Sequence, residues 1–281
     1  MTSPIALFGA TSILGYSLAR QFPDRITPYG TPEDSHWPFD LFEQRAPDIL
    51  IYGHAVCDVP KCEGSPEWAQ RINVGHVLRV LAALPAHTRV VYISSDHVFG
   101  GDGIYDEEAE PCPVSVYGRT RVRAESLVLQ RSGSLVIRVG LPIGPSRNGK
   151  TGHWDWLRYR SDRQFPITIV SDEYRSAVWA DQLAHRVLQL AESSAFGIRH
   201  VAATRAVSRI ELADHLFSLL GRPAHYSTET RRQRTTPHLG HVELATVHND
   251  ALSRPLMSVL DPLTRENCMS LAGAASDAVS A

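Results

Sequence analysis

Lysine is nearly missing from this chain. Only Lys61 and Lys150 occur among 281 residues, so arginine supplies almost all of the 28 positive charges. Chemistry that needs a lysine at a fixed spacing must therefore be carried differently or not at all. Cysteine is scarce too: Cys57, Cys62, Cys112 and Cys268 are scattered without C-x-x-C spacing, which argues against a disulfide scaffold and a zinc site. The aromatic cluster His153-Trp154-Asp155-Trp156 has no metal-ligand spacing, and no metal is expected. Neither sign of charge is in excess. The formal charge of -2 gives no electrostatic reason for binding nucleic acid or an anionic membrane, and Arg231-Arg232-Gln233-Arg234 reads as a solvated loop. No apolar stretch approaches the ~20 residues of a membrane span. Met1 leads directly into an apolar strand without a leader pattern, so a reducing cytoplasm is the expected setting.

What is present is an alternation. Short apolar runs at 4–9, 26–29, 48–52, 89–93 and 134–139 alternate with helical patterns at 13–22, 66–84 and 114–129. The strand runs are continuously apolar, as strands buried on both faces are. The fold class implied is α/β: a Rossmann-type doubly wound parallel sheet with a second, smaller α/β substrate-binding lobe. A Gly/Pro-rich segment, 141–152, marks the crossing. Residues 1–140 and 176–198 are assigned to the dinucleotide-binding domain, 141–175 and 199–272 to the smaller lobe, and 273–281 to a frayed tail.

The turn Gly9-Ala10-Thr11-Ser12-Ile13-Leu14-Gly15 joins the first strand to the first helix, where free backbone N–H groups and the helix dipole suit a pyrophosphate. Gly9, Thr11, Ser12, Ile13, Leu14 and Gly15 are the expected cofactor contacts. Ser12 stands where the usual middle glycine would be; it adds bulk and brings a hydroxyl able to donate to a phosphate. The ribose-binding acid is not clearly placed. Glu33 and Asp34 are at about the right distance, while Arg20 or Arg25 would favour a 2'-phosphate, so NAD and NADP both stay open. Further on, Ser95 closes the fourth strand and Tyr117 opens a helix, and hydroxyls at such carboxyl ends are where an open α/β sheet builds its site.

Ser94-Ser95-Asp96-His97-Val98-Phe99 and Tyr117-Gly118-Arg119-Thr120-Arg121 together resemble the extended short-chain dehydrogenase/reductase superfamily, and within it the dTDP-4-dehydrorhamnose reductase family, with its S-T-D-Y-V-F and Y-G-x-x-K signatures. The resemblance continues in 56–74, in Tyr105-Asp106-Glu107 with Pro113, in 172–183 and in Arg254-Pro255-Leu256. It implies that a hydride moves between a nicotinamide and a carbonyl carbon while Tyr117 exchanges the matching proton and Ser95 orients the carbonyl oxygen. The resemblance puts Arg121 where the family has its lysine. Arginine keeps the charge and can meet ribose hydroxyls, but it cannot relay a proton. Asp40-Leu41 resembles the family's pair near the adenine, and His54-Ala55 replaces its small-residue run beside the cofactor. His97, Trp154 and Arg175 fall where the family grips substrate, and His97 is a candidate for titration near neutrality. The partner implied is a nucleotide-sugar or related polar metabolite, with a homodimer as the assembly. Two other readings remain open: a nucleotide-binding regulatory subunit that has lost turnover, motivated by Ser12, His54 and Arg121, and an epimerase or dehydratase of the same superfamily.

Overall fold

The computed structural model of the chain describes residues 5–29 and 46–262. Among them, six strands form one parallel sheet in the order β2-β1-β3-β4-β6-β10. They are β1 (Ile5–Phe8), β2 (Ile26–Tyr29), β3 (Ile49–Tyr52), β4 (Arg89–Ser95), β6 (Leu135–Val139) and β10 (Gly197–Val201). The order reverses beside β1, so the turns that leave β1 and β3 diverge and open a crevice at their carboxyl ends.

Burial explains the continuous hydrophobicity of these strands. Leu7, Ile51, Val91 and Ile137 face one layer, where Leu14 and Leu18 of helix Ile13–Gln21 meet Leu183 and Val187 of helix Ala180–Glu192. Phe8, Leu50, Tyr92 and Val136 face the other, against Val77 and Val80 of helix His76–Ala83 and Ala124 and Val128 of helix Val116–Leu129. Each such aliphatic side chain contributes about 1.5–3 kcal/mol by leaving water. Helix Pro66–Gln70 runs into His76–Ala83 through a wider π turn, Arg71–Gly75.

The lobe is built on a three-stranded sheet, β7 (Leu141–Ile143), β9 (Tyr174–Trp179) and β11 (Ala206–Ser208), with β9 in the middle. Helices Gly152–Asp162 and Arg209–Leu219 cover it with Leu157, Leu212, Leu216 and Phe217. Two short parallel pairs complete it: β8 (Thr168–Val170) with β12 (Ser227–Glu229), and β5 (Gly103–Tyr105) with β13 (Val242–Leu244). The Gly/Pro-rich crossing is closed by Asp155, 1% exposed, which accepts from the backbone N and Oγ of Ser146 at 2.5 and 2.8 Å and pairs with Arg158.

Two expectations shift. The borders at 176 and 198 cut through strands, because pairing rather than composition assigns them: all of β9 belongs to the lobe's sheet, and β10 runs parallel to β6 in the central sheet through Val201. The segment after β3, which carries no helical pattern in the sequence before residue 66, is helical over Val59–Gly64. Asp58 accepts from the Lys61 N–H at 3.0 Å and Pro60 pre-sets the first turn.

The first βα turn leaves no room for a side chain at Gly9 or Gly15. Gly9 has φ +95°, and a Cβ on it would lie 2.5 Å from the Gly53 carbonyl carbon; one on Gly15 would lie 2.0 Å from the Gly9 oxygen. Gly9→Ala is therefore expected to lose at least about 1–3 kcal/mol of stability, read as a lower urea midpoint. An unchanged midpoint would show that the turn relaxes without strain.

Candidate active site

At the end of β1, Ser12 caps helix Ile13–Gln21. Its Oγ donates to the Gly9 carbonyl at 2.8 Å and accepts from the Gly15 N–H at 3.0 Å. Its proton is thus engaged inside the turn, which corrects the expectation of a phosphate-donating hydroxyl. Of the four helix-start donors, those of Ile13 and Leu14 are left to an anion. Thr11 is exposed at the lip, and Ile13 packs so closely on the lobe that a Cβ at Gly152 would come within 2.6 Å of it. His54 and Ala55 follow β3 directly, with the His54 backbone nitrogen against Gly9. Asp40, Leu41, Glu33 and Asp34 lie outside the described residues.

Both arginines offered for a 2'-phosphate are engaged elsewhere. Arg20 Nη2 lies 2.8 and 2.7 Å from the two oxygens of Asp181, and Arg25 pairs with Glu192, both carboxylates being on the helix that packs against Ile13–Gln21. Helix packing, which sequence spacing does not reveal, supplies these partners.

The chemistry gathers at the end of β4. Ser95 is the last residue of that strand, and its hydroxyl is near enough to the Tyr117 phenol to pull its pKa down. Ser115 caps helix Val116–Leu129 by accepting from Gly118 N–H at 3.0 Å, which sets Tyr117 in the first turn and Arg121 one turn later on the same face. Arg121 is 3% exposed. Its Nη2 donates to the Ile93 carbonyl, and its guanidinium lies 4.6 Å from the Tyr92 ring and 5.8 Å from that of Tyr117. Its Nε and Nη1 have no hydrogen-bond partner among the described residues. Burial pushes the Tyr117 phenol up, to about 12, against the downward pull of Arg121. Tyr117 is thus held protonated, as a proton donor must be.

His97 sits edge-on to Tyr117, with ring centroids 5.1 Å apart. Burial, with Arg175 nearby, lowers it to about 4, so it is neutral at physiological pH, which corrects the expectation of titration near neutrality. Burial, then His76 and Arg121, likewise lower His54 to about 4. Arg175 does not reach into the cleft as a substrate grip: it is 5% exposed and clamps Asp96 with two bonds of 2.5 Å. Trp154 is half-buried against the lobe core. Sequence reasoning missed Asp96 as the partner of Ser95, at 2.9 Å, and missed Glu173 and His238 behind Arg175. An acid next to the strand-end serine was a visible signal for the first; the others come from distant segments and left none.

The donor set fits a dinucleotide on this structure's own terms. Gly9 and Gly15 form a cradle that any Cβ would fill, and Nε and Nη1 of the buried Arg121 are left without a hydrogen-bond partner among the described residues. A doubly wound sheet with that turn, that pair and a cation one helical turn on defines a protein of the extended short-chain dehydrogenase/reductase type. Within it, the chain belongs to the RmlD substrate binding domain family, whose model matches residues 3–269. It is similar to the probable low-salt glycan biosynthesis reductase Agl14 of Haloferax volcanii, 27% identical over 195 residues, 67% of this chain and 65% of that protein. It is also similar to the dTDP-4-dehydrorhamnose reductase of Mycolicibacterium smegmatis, 29% identical over 183 residues, 62% of this chain and 54% of that protein. The chain therefore spans less than two thirds of either relative's own length. The solved dTDP-4-dehydrorhamnose reductase of Bacillus anthracis, in complex with NADP, has the same fold: TM-score 0.79 at 22% identity, covering 92% of this chain and 95% of that one.

The neutral histidines make stability depend on pH. Folding lowers His54 and His97 below the ordinary 6.5, and His153 and His200 fall too, so the unfolded chain binds more protons. Their contribution is complete above pH 6.5 and is lost as pH falls towards 4. The urea midpoint should drop between pH 7.5 and 5.0, and less steeply in His97→Gln; a flat profile would mean that these imidazoles protonate freely in the folded chain.

Proposed function

We propose that this chain is an NAD(P)H-dependent reductase of a carbonyl on a nucleotide-linked deoxysugar or a related polar metabolite. One observation carries the reading: Ser95 and Tyr117 come together at the carboxyl end of β4, with the Arg121 guanidinium one helical turn on, 5.8 Å from the Tyr117 ring. When bound, NAD(P)H supplies the hydride for the carbonyl carbon. Tyr117 gives its proton to the carbonyl oxygen, and Ser95 holds that oxygen and the phenol in line. Arg121 steadies the phenolate left behind by charge alone, since its own proton does not leave. Its Nε and Nη1, with Gly9, Thr11, Ile13, Leu14, Gly15, His54 and Ala55, would hold the dinucleotide. Asp40 and Leu41 are kept as proposed adenine contacts, and His97 and Trp154 as proposed substrate contacts. Neither NAD nor NADP is preferred, because Arg20 and Arg25 are committed to carboxylates.

An intact Ser95–Tyr117 pair and the reductase relatives do not favour a regulatory subunit or an epimerase or dehydratase. The unpaired thiols of Cys57, Cys62 and Cys112 accord with a cytoplasmic setting. Among the described residues, no helix is long and apolar enough to cross a membrane. A homodimer completes the reading; Leu78, 48% exposed, and Leu127 line a groove between two helices that such an assembly would cover.

The test is oxidation of NADPH or NADH, followed by absorbance, over a panel of nucleotide-linked keto-sugars. Tyr117→Phe should cut kcat roughly 10²- to 10⁴-fold with cofactor binding retained; undiminished turnover would sink the assignment. Arg121→Met should weaken cofactor binding in calorimetry. It should also slow the alcohol-oxidising direction, because the guanidinium is what draws the phenol's pKa down.

A further inference from the structure

We propose that Tyr92 is a positioning residue of this reaction: its ring holds the Arg121 guanidinium at the distance from Tyr117 at which an arginine can stand in for a lysine. The inference rests on the reductase reading above. An arginine spreads its charge over a plane, so the plane has to be fixed for the charge to act at one place. Helix Val116–Leu129 brings the side chain to β4, where two successive residues receive it. Nη2 donates to the Ile93 carbonyl, and the guanidinium lies over the Tyr92 ring, 4.6 Å from its centroid. Nε and Nη1 have no hydrogen-bond partner among the described residues. One hydrogen bond leaves a planar group free to swing about it. The ring contact, inside the ~6 Å at which a cation is drawn to an aromatic face, removes that freedom and leaves the guanidinium 5.8 Å from the Tyr117 centroid.

The Tyr92 ring is itself fixed. It is fully buried in the middle of β4, and Tyr52 of β3 stands opposite it in register and stacks on it, with centroids 5.8 Å apart and 25° between the planes. Neither of these two hydroxyls has a hydrogen-bond partner among the described residues. What Tyr92 offers Arg121 is therefore the ring. Being fully buried, Tyr92 meets neither substrate nor cofactor and acts only through Arg121. The held charge draws the Tyr117 phenol down against burial, and a cation within about 4–6 Å raises an acid's ionisation roughly 10- to 1000-fold. Also facing Tyr117 are Ser95, Asp96 and His97 at the end of β4, Cys57 after β3, and Cys62 of helix Val59–Gly64, whose Glu63 accepts from the Val116 N–H. A substitution at Tyr92 leaves these in place and releases Arg121.

The sensitive assay is the alcohol-oxidising direction, which needs the phenolate. With saturating oxidised cofactor and the alcohol formed from whichever keto-sugar the wild type reduces, Tyr92→Leu should lower kcat about tenfold at pH 8. The loss should shrink as pH rises, because a less acidic phenol still ionises in stronger base; a merely structural lesion is not cured by alkali. Tyr92→Phe keeps the ring and should stay within about twofold of wild type. In an Arg121→Met background Tyr92→Leu should cost less than about twofold, since no guanidinium is left to hold. Should Tyr92→Leu not fold, Tyr92→Met, whose flexible side chain adapts to the space, takes its place. The contact is also read without turnover, by NMR. The Arg121 guanidinium signal, assigned by its loss in Arg121→Met, should move downfield when the shielding ring is removed and stay in place in Tyr92→Phe. A signal that does not move in the ringless variant, full oxidising activity there, a loss that alkali does not relieve, or an equal loss in Tyr92→Phe overturns the proposal. A wild type inert on every keto-sugar, with the signal behaving as stated, overturns the reductase reading instead and leaves Tyr92 a structural clamp.

Discussion

The Arg121 guanidinium is almost fully buried, and the arrangement of the site follows from how it is accommodated. One N–H reaches the Ile93 carbonyl on β4, and the plane of the group rests against Tyr92 from the same strand. These contacts draw helix Val116–Leu129 onto the carboxyl end of β4 and leave Tyr117, one turn earlier, against Ser95. A buried cation is tolerated only where its hydrogen bonds and neighbouring rings offset the lost hydration. Here a carbonyl and two aromatic faces serve, and Nε and Nη1 find no hydrogen-bond partner among the described residues. A shorter, strongly hydrated ammonium would not span the same distance while lying flat on a ring.

A second set of charges joins the two parts of the molecule. Asp96 at the end of β4, Arg175 on β9 and Glu173 beside it form a buried, alternating chain between the central sheet and the lobe. At the opposite edge, Asp181 gathers Ser17, Arg20 and Gln21 and locks the first helix to the helix that follows β9. The cleft is thus bounded by two ion-paired contacts, one next to the reacting serine and the other behind the phosphate turn. Both draw in arginines that, taken singly, look like anion receptors.

Much of the site was legible because its geometry is local. A glycine turn between a strand and a helix has one conformation that works, and residues four apart on a helix share a face, so Gly9, Gly15, Tyr117 and Arg121 were readable from spacing. Ser95 followed from its place at a strand end. Arg175 was misread because its partner, Asp96, lies 79 residues away in the chain. Arg20 was misread for the same reason, its carboxylate being 161 residues distant. His97 and His54 carry no sign in the sequence of the burial that keeps them neutral. Ser12 was half-read: its hydroxyl was noticed, but not that the Gly9 carbonyl already takes its proton.

The sequence by itself determined the alternation of strands and helices, the cradle at Gly9 and Gly15, and the spacing of serine, tyrosine and arginine. These depend on backbone conformation and on neighbours within a turn or two. Only the tertiary structure decided which charges are free and which are spent. Ion pairs between elements far apart in the chain form when packing removes water, and burial then makes each pairing obligatory. By that route Arg20, Arg25 and Arg175 are held by carboxylates, while Nε and Nη1 of Arg121 are left without a hydrogen-bond partner among the described residues.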